Sequence, residues 1–319
     1  MLFNIAVELG RLDKRVLLVD FDAQANLTAI ALDDQTLESL YAPGADGMTV
    51  AHGFAPLVSG AGDVAPPSPV EVRKDRVWII PGDINLSAFE EILPSSWTEA
   101  LAGTERGFRI TSAPYRLWRE VGAALNVDYV LIDLGPNVGP MNRTVLIGAD
   151  YLIVPMASDL FSLRALPSVG MSLNTWIEQW NTANAHPVAQ NLPFEIQVGM
   201  PKLMGYVSQQ FNIYRGDPTQ AFRNWIDKTP ALVEEGLLTR LRAHADGHGG
   251  TLADPADGAG VEMGSLKNYH SLVPHAQSLR QAIFEMEQDE VILANQLKRA
   301  RASEDDFRAL AEELIARAL

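Results

Sequence analysis

Residues 15–28 read RVLLVDFDAQANLT. Four aliphatic residues, Val16–Val19, lead straight into carboxylates at Asp20 and Asp22. A half-exposed strand would alternate apolar and polar side chains. An unbroken aliphatic run predicts a strand buried on both faces, as in a parallel sheet covered by helices. Three similar runs follow, at Arg76–Pro81 (RVWIIP), Asp128–Asp133 (DYVLID) and Asp150–Pro155 (DYLIVP). Helical spacing appears at 2–12, where Leu2, Ile5, Ala6 and Leu9 recur with Phe3 and Val7 beside them, and again around Tyr115–Leu125 and Met141–Gly148. Strands alternating with helices predict one doubly wound α/β domain over 1–319, with a mostly parallel sheet and flanking helices.

Two stretches break the pattern. Residues 42–69 are rich in Gly, Ala and Pro and are expected to form a surface loop, and 243–264 are poor in apolar residues. The span 204–267 is expected to be a helical and flexible insertion, with helices at Thr219–Asp227 and Ala231–Arg242. C-terminal helices are expected over 278–319, roughly Ser278–Arg299 and Glu304–Leu319.

Composition narrows the function classes. Cysteine is absent, which excludes disulfides, thiolate zinc sites and Cys-ligated iron–sulfur clusters. No apolar run approaches the roughly 20 residues that span a bilayer, and the N-terminal residues lack the basic region of a signal peptide. A cytoplasmic protein is expected. The net charge is −15, so any DNA contact must come from a local Arg cluster working against the overall field.

In open α/β sheets ligands bind beyond the carboxyl ends of the strands. Asp20, Asp22 and Asp133 sit at such ends. Carboxylates gathered there repel one another unless a cation or protons intervene. Mg²⁺ takes carboxylate oxygens directly or through water, together with substrate phosphates. A Mg–nucleotide site is the expectation; the competing reading is that each Asp simply caps the loop or helix after it.

Five segments, in order, resemble the ParA/MinD-type P-loop ATPases. RVLLVDFDAQANLT is similar to their D-x-D-P-Q-x-N motif, with Ala23 where Pro is usual. VWIIPGDINLSAFE (77–90) resembles a short strand segment that follows it. VDYVLIDLGPNVG (127–139) resembles the Walker B strand, with Gly135-Pro136 where Pro-Pro is common. DYLIVPMASDLFSLRAL (150–166) resembles the next strand and helix, and SLVPHAQSLRQAIFEM (271–286) a late segment near the adenine pocket. The resemblance implies ATP and Mg²⁺ as cofactors. It implies Asp22 as the residue that orients or activates the attacking water, and Asp20 and Asp133 as Mg²⁺ holders, largely through water. Asn26 would lie near the nucleotide or dimer face, and Pro136 and Pro274 would line the nucleotide site. It further implies a homodimer, a ParB-like activating partner, non-specific DNA binding, and a role in partition or cargo positioning.

The phosphate loop of this family needs G-x-x-x-x-G-K-[ST], so that backbone N–H groups cradle phosphates and a Lys reaches the β/γ oxygens. The six lysines are Lys14, Lys74, Lys202, Lys228, Lys267 and Lys298, and none follows a Gly. By the resemblance, residues 2–12 are the helix after that loop, so the first strand and the loop are expected to be missing. Two explanations stand: a start codon assigned too far downstream, which upstream translation in the same frame would reveal, or a degenerate member acting as a non-catalytic scaffold or adaptor. The 319 residues as written are expected to be inactive.

Weaker signals have plainer readings. The strand-end Asp residues also resemble those of response-regulator receivers, but Asp20 and Asp133 lie more than 110 residues apart, too far for that fold. His244 and His248 have i, i+4 spacing but sit among Gly, Asp and Ala, where a solvated loop is the better expectation. His270 and His275 flank Pro274 and are expected to serve as loop polar groups. Phe307, Leu310, Ala311, Leu314 and Ile315 form one face of the last helix. Its polar face is acidic at Glu304, Asp305, Asp306, Glu312 and Glu313, which favours docking on the protein's own core over a membrane. Trp176, Trp180 and Trp225 are expected to pack internally or to serve a partner surface.

Overall fold

The computed structural model describes residues 1–42, 44, 48–157, 160–211, 213–214, 217–218, 228–239, 241, 261–287 and 294–318. Helix α1 (Leu2–Arg11) leads into β1 (Val16–Asp20), then α2 (Asn26–Ala31), α3 (Asp34–Leu40) and α4 (Val50–Ser59). Strands β2 (Val70–Arg73) and β3 (Val77–Ile80) precede α5 (Leu86–Leu101), α6 (Glu105–Thr111) and α7 (Ala113–Leu125). Then come β4 (Tyr129–Asp133), α8 (Pro140–Gly148), β5 (Tyr151–Ala157) and α9 (Leu160–Asn184). The chain continues with β6 (Lys202–Phe211), α10 (Thr229–Val233), β7 (Glu262–Lys267), α11 (Leu272–Leu279) and α12 (Ala294–Arg317).

β1 is buried along its whole length, as its aliphatic run requires. Its side chains alternate between two cores. Val16 and Leu18 join Val77, Ile79 and Leu131 under α1 and α12. Leu17 and Val19 join Trp78 and Ile80 against Phe54, Phe89, Leu93, Leu117 and Val145 of the helices on the other face. β1 pairs in parallel with β3 on one side and with β4 on the other, where Asp20 is in register with Asp133. The parallel, helix-covered α/β architecture is thus the one expected from residues 15–28.

The sheet itself differs from expectation. The described strands form two main sheets, one in the order β2-β3-β1-β4 with β2 antiparallel, the other β5-β6-β7, all parallel. β4 and β5 do not pair with each other. A large cavity is lined by both strands.

The remaining segments need three corrections. The stretch 42–69 contains helix α4, not only loop: Val50, Phe54 and Leu57 recur at helical spacing and are buried, and Phe54 stacks on Phe89 at 4.1 Å. Thr49 caps its start by accepting from His52 N, and Gly60 ends it at φ 71°. The span 204–267 opens and closes on sheet strands, because β6 runs on to Phe211 and β7 begins at Glu262. Between them α10 passes into a π-helical turn at Glu234–Leu238, whose Leu237 and Leu238 are buried. Thr219–Asp227, Trp225, His244 and His248 lie outside the described residues. At the C-terminus α12 is continuous across the break expected between Arg299 and Glu304, and the preceding helix spans Leu272–Leu279.

α12 docks on the core. Phe307, Leu310, Ala311 and Leu314 are buried, and Phe307 stacks on Tyr269 at 6.1 Å. Glu8, fully buried in α1, accepts from Arg308 Nε at 2.9 Å and joins the two helices. Trp180 is buried against Trp97 and Phe108. Among the described residues no helix is long and apolar enough to cross a membrane. Phe307→Ala is expected to lower stability by about 3–5 kcal/mol, read as a fall in urea midpoint with an unchanged slope. Exposed Arg301 on the same helix supplies the control, since Arg301→Ala should leave the midpoint nearly unchanged.

Candidate functional site

β1 ends on a carboxylate that is fully buried. Burial of a charge is costly unless its oxygens are hydrogen-bonded. Asp20 Oδ2 accepts from Thr28 N at 2.9 Å and from Thr28 Oγ1 at 2.7 Å, and Oδ1 accepts from Asp22 N at 3.1 Å. The Thr28 hydroxyl in turn accepts from Gly82 N at 2.8 Å, so one side chain ties β1, the start of α2 and the turn after β3 together. Gly82 is required there: a Cβ would stand 2.9 Å from Asp20 Cγ. Burial still dominates, and the Asp20 carboxyl is pushed up to about 6 despite its three donors.

The loop after Asp20 is held by its own side chains. Asp22 Oδ1 accepts from Gln24 N at 3.0 Å, Ala25 takes φ 51° to start α2, and Asn26 donates to Gln24 Oε1 at 3.1 Å. Asp22 is half-buried and Asn26 exposed. Across from them Phe21 N donates to Asp133 O at 2.9 Å. Burial raises the Asp133 carboxyl above its ordinary range, the Met1 amino group opposes that shift, and Asp22 adds to it. The first turn of α1 therefore faces Asp133. After β4, Asn142 of α8 donates to Gly135 O at 2.7 Å and also to Asn137 O, which fixes the turn carrying Pro136. Gly135 lies against Asp22, since a Cβ there would come within 3.4 Å of Asp22 Oδ1.

Asn26, Asp133, Pro136 and Pro274 all line one cavity of about 1790 Å³, together with Met1–Ile5 of α1. Asp20 and Asp22 stand behind and beside it. His270 also lines this cavity, and its backbone at φ 47° is held by Asn268 Oδ1. Reasoning from sequence missed Thr28, Gly82 and Asn142. Thr28 stands in the same quoted stretch, eight positions after Asp20, but nothing in spacing alone says that a helix turn folds it back onto that carboxylate.

For a cation the donor set fits only in part. Among the described residues, no group of three or more His, Asp or Glu side chains is placed to hold a metal ion by itself. Asp20 has its oxygens engaged by the protein, leaving Asp133 and Asp22 as the carboxylates open to a hydrated Mg²⁺ that also needs phosphate oxygens. For phosphates the first-turn N–H groups of α1 are suitable donors. Lys267 lines the cavity but pairs with Asp306 at 3.2 Å.

The sequence model of the AAA-domain family matches residues 1–184. This chain belongs to that family. It is 26% identical to a "ParA family protein" of Chlamydia trachomatis over 72% of this chain and 71% of that one. It is also 26% identical to an uncharacterized protein of Pseudomonas putida over 51% of this chain, and it spans about half the length of that relative, 52%. The fold is shared with solved structures. Protein DIP2308 of Corynebacterium diphtheriae aligns with a TM-score of 0.67 and 24% identity, covering 88% of this chain and 91% of that one. An ATP complex of a Cyanothece McdA variant gives 0.58 and 16%, covering 98% and 91%. The pNOB8 ParA bound to nonspecific DNA gives 0.52 and 18%, covering 99% and 92%.

Two outcomes test this arrangement. Thr28→Val keeps the shape but strands Gly82 N and removes a donor from Asp20, and should cost about 1–3 kcal/mol in urea unfolding. The second is a pH effect. The Asp20 carboxyl is raised to about 6 in the folded chain, against about 3.9 unfolded. Its contribution to stability is full below the unfolded value and is lost as pH rises through the folded one. The stability of wild type minus that of Asp20→Asn should therefore fall between pH about 4 and about 6 and level off above. A difference that stays flat over this window would show Asp20 to titrate normally.

Proposed function

We propose that this chain is an ATP-dependent dimerisation switch of the ParA type, acting in DNA partition or in positioning another cargo. The carrying observation is the convergence of Asn26, Asp133, Pro136 and Pro274 on one cavity with the first turn of α1. Mg²⁺ would be held largely through water by Asp133, with Asp20 setting the loop geometry from behind. Asp22, half-buried and fixed by Gln24 N, would orient the attacking water. Bound Mg²⁺ would neutralise phosphate charge, and the α1 amides would face the phosphates; phosphoryl transfer draws most of its acceleration from such positioning. Pro274 and Pro136 would border the nucleotide.

The cofactor and non-specific DNA come to this chain from its structural neighbours, and the homodimer and a ParB-like activator from the resemblance of its motifs. The Cyanothece neighbour is an ATP complex and the pNOB8 neighbour is bound to nonspecific DNA. A second reading rests on one fact: the 319 residues contain no G-x-x-x-x-G-K-[ST]. On that reading the chain is a non-catalytic scaffold.

Equilibrium binding of labelled ATP with Mg²⁺ separates the two. We expect little binding by the 319 residues, and tight binding by a product extended in frame upstream if that extension carries the phosphate loop. Asp22→Ala in the extended product should keep ATP binding and lose at least 100-fold in hydrolysis rate, as expected for a group acting on the water in the transition state. An extended product that binds no Mg–ATP would remove the enzyme reading. For the DNA role, affinity in the ATP state should fall steeply with salt; binding that ignores salt would remove it.

A further inference from the structure

Helices α5, α8 and α9 pack on one another. At their junction Arg143 of α8 lays its guanidinium over Trp97 of α5, 4.1 Å from the ring centroid. Trp97 is itself fixed. Its ring packs on Trp180 of α9 at 5.5 Å, Trp180 meets Phe108 edge-on at 6.0 Å, and the Trp97 indole N–H donates to Gln179 Oε1 at 2.8 Å. A guanidinium carries five N–H donors and does not give up its charge. Arg73, Arg116, Arg280 and Arg317, all half-buried, each hold a carboxylate. Arg143 is equally half-buried, yet among the described residues it makes no ion pair, and its Nε is buried with no hydrogen-bond partner. Glu90 of α5 stands against Gly139, one turn of α8 earlier, without pairing with it. Burial pushes the Arg143 group down to about 10, with no acid to offset it.

We propose that Arg143, seated on Trp97, is a docking point for one carboxylate side chain, Asp or Glu, presented by a partner protein. A half-buried charge is costly until it is paired, so an acceptor arriving here completes the site. The planar fork of a guanidinium matches a carboxylate in two parallel hydrogen bonds. The Trp97 ring already holds the guanidinium in place, so little freedom is left to lose on binding. Partial desolvation strengthens the bonds that form. Arg and Trp together are also the residues that most often dominate protein interfaces. The charge count selects the ligand. Arg143 is the sole basic residue of α5 and α8, and α9 adds only Arg164 near its start. One cation neutralises one carboxylate. A phosphate dianion would keep an unmatched charge in the field of a chain whose net charge is −15. Neither Arg143 nor Trp97 lines the cavity at the strand ends, so this site stands or falls apart from the ATPase reading.

The test follows the Arg143 Nε–H and Trp97 indole N–H signals by NMR in the full ¹⁵N-labelled chain at constant ionic strength. The probe is the peptide acetyl-Ala-Ala-Glu-Ala-Ala-amide. Its Gln counterpart is the uncharged control, and inorganic phosphate is the competing anion. The Glu peptide should shift both signals along one saturable curve. The Gln peptide should shift neither, and phosphate should bind more weakly than the Glu peptide. Arg143→Lys keeps the charge without the fork and should weaken the Glu peptide by at least about tenfold, the loss of one charge-assisted hydrogen bond. Arg143→Gln should abolish the response, read at Trp97. Signals that the Glu peptide leaves unmoved up to its solubility limit would overturn the proposal. So would equal binding of the two peptides, phosphate binding as tight as the Glu peptide, or an affinity unchanged in Arg143→Lys.

Discussion

β1 has no face open to water, and that constraint organises the protein. A strand buried on both sides must pair its backbone along both edges and bring helices to both surfaces. β3 and β4 supply the edges, α1 and α12 one surface, and α4, α5, α7 and α8 the other. The same burial reaches the end of the strand, where Asp20 is excluded from solvent and has to find its donors within the chain. It finds them in Thr28 and Asp22, and Thr28 then captures Gly82. The loops that shape the site are thus consequences of solvating one carboxylate without water.

This arrangement separates the acids by role. They stand together at the strand ends in the sequence, but burial divides them. Asp20 is spent on holding loops, Asp133 lies on the cavity wall near the first turn of α1, and Asp22 is half-buried beside Gly135. A direct three-carboxylate chelate does not form among the described residues. A hydrated ion shared with phosphates suits such a set better than a dehydrated one, because Mg²⁺ gives up its water reluctantly.

The divided sheet bears on the same site. Among the described residues β4 and β5 have no ladder partner on their facing edges, and the cavity they line is also lined by Asp133, Pro136 and Pro274. Whatever fills that space would sit next to the α1 amides and would change their surroundings.

The sequence by itself determined the layer architecture. Short unbroken runs rich in Val and Ile favour buried strands, and their spacing with amphipathic helices admits few arrangements. The last helix was legible in the same way, since Phe307, Leu310 and Leu314 on one face and acids on the other leave the core as the docking surface. Helix α4 was hidden because Gly, Ala and Pro dominate the composition around Val50, Phe54 and Leu57, although a Thr cap and a Gly stop were present. Tertiary structure alone decided which carboxylate faces the cavity, that Thr28 folds back onto Asp20, and that β4 and β5 stand apart. These depend on distances between segments far apart in the chain. A linear pattern records which face a side chain takes in its own element, and it carries no information about what lies across the gap.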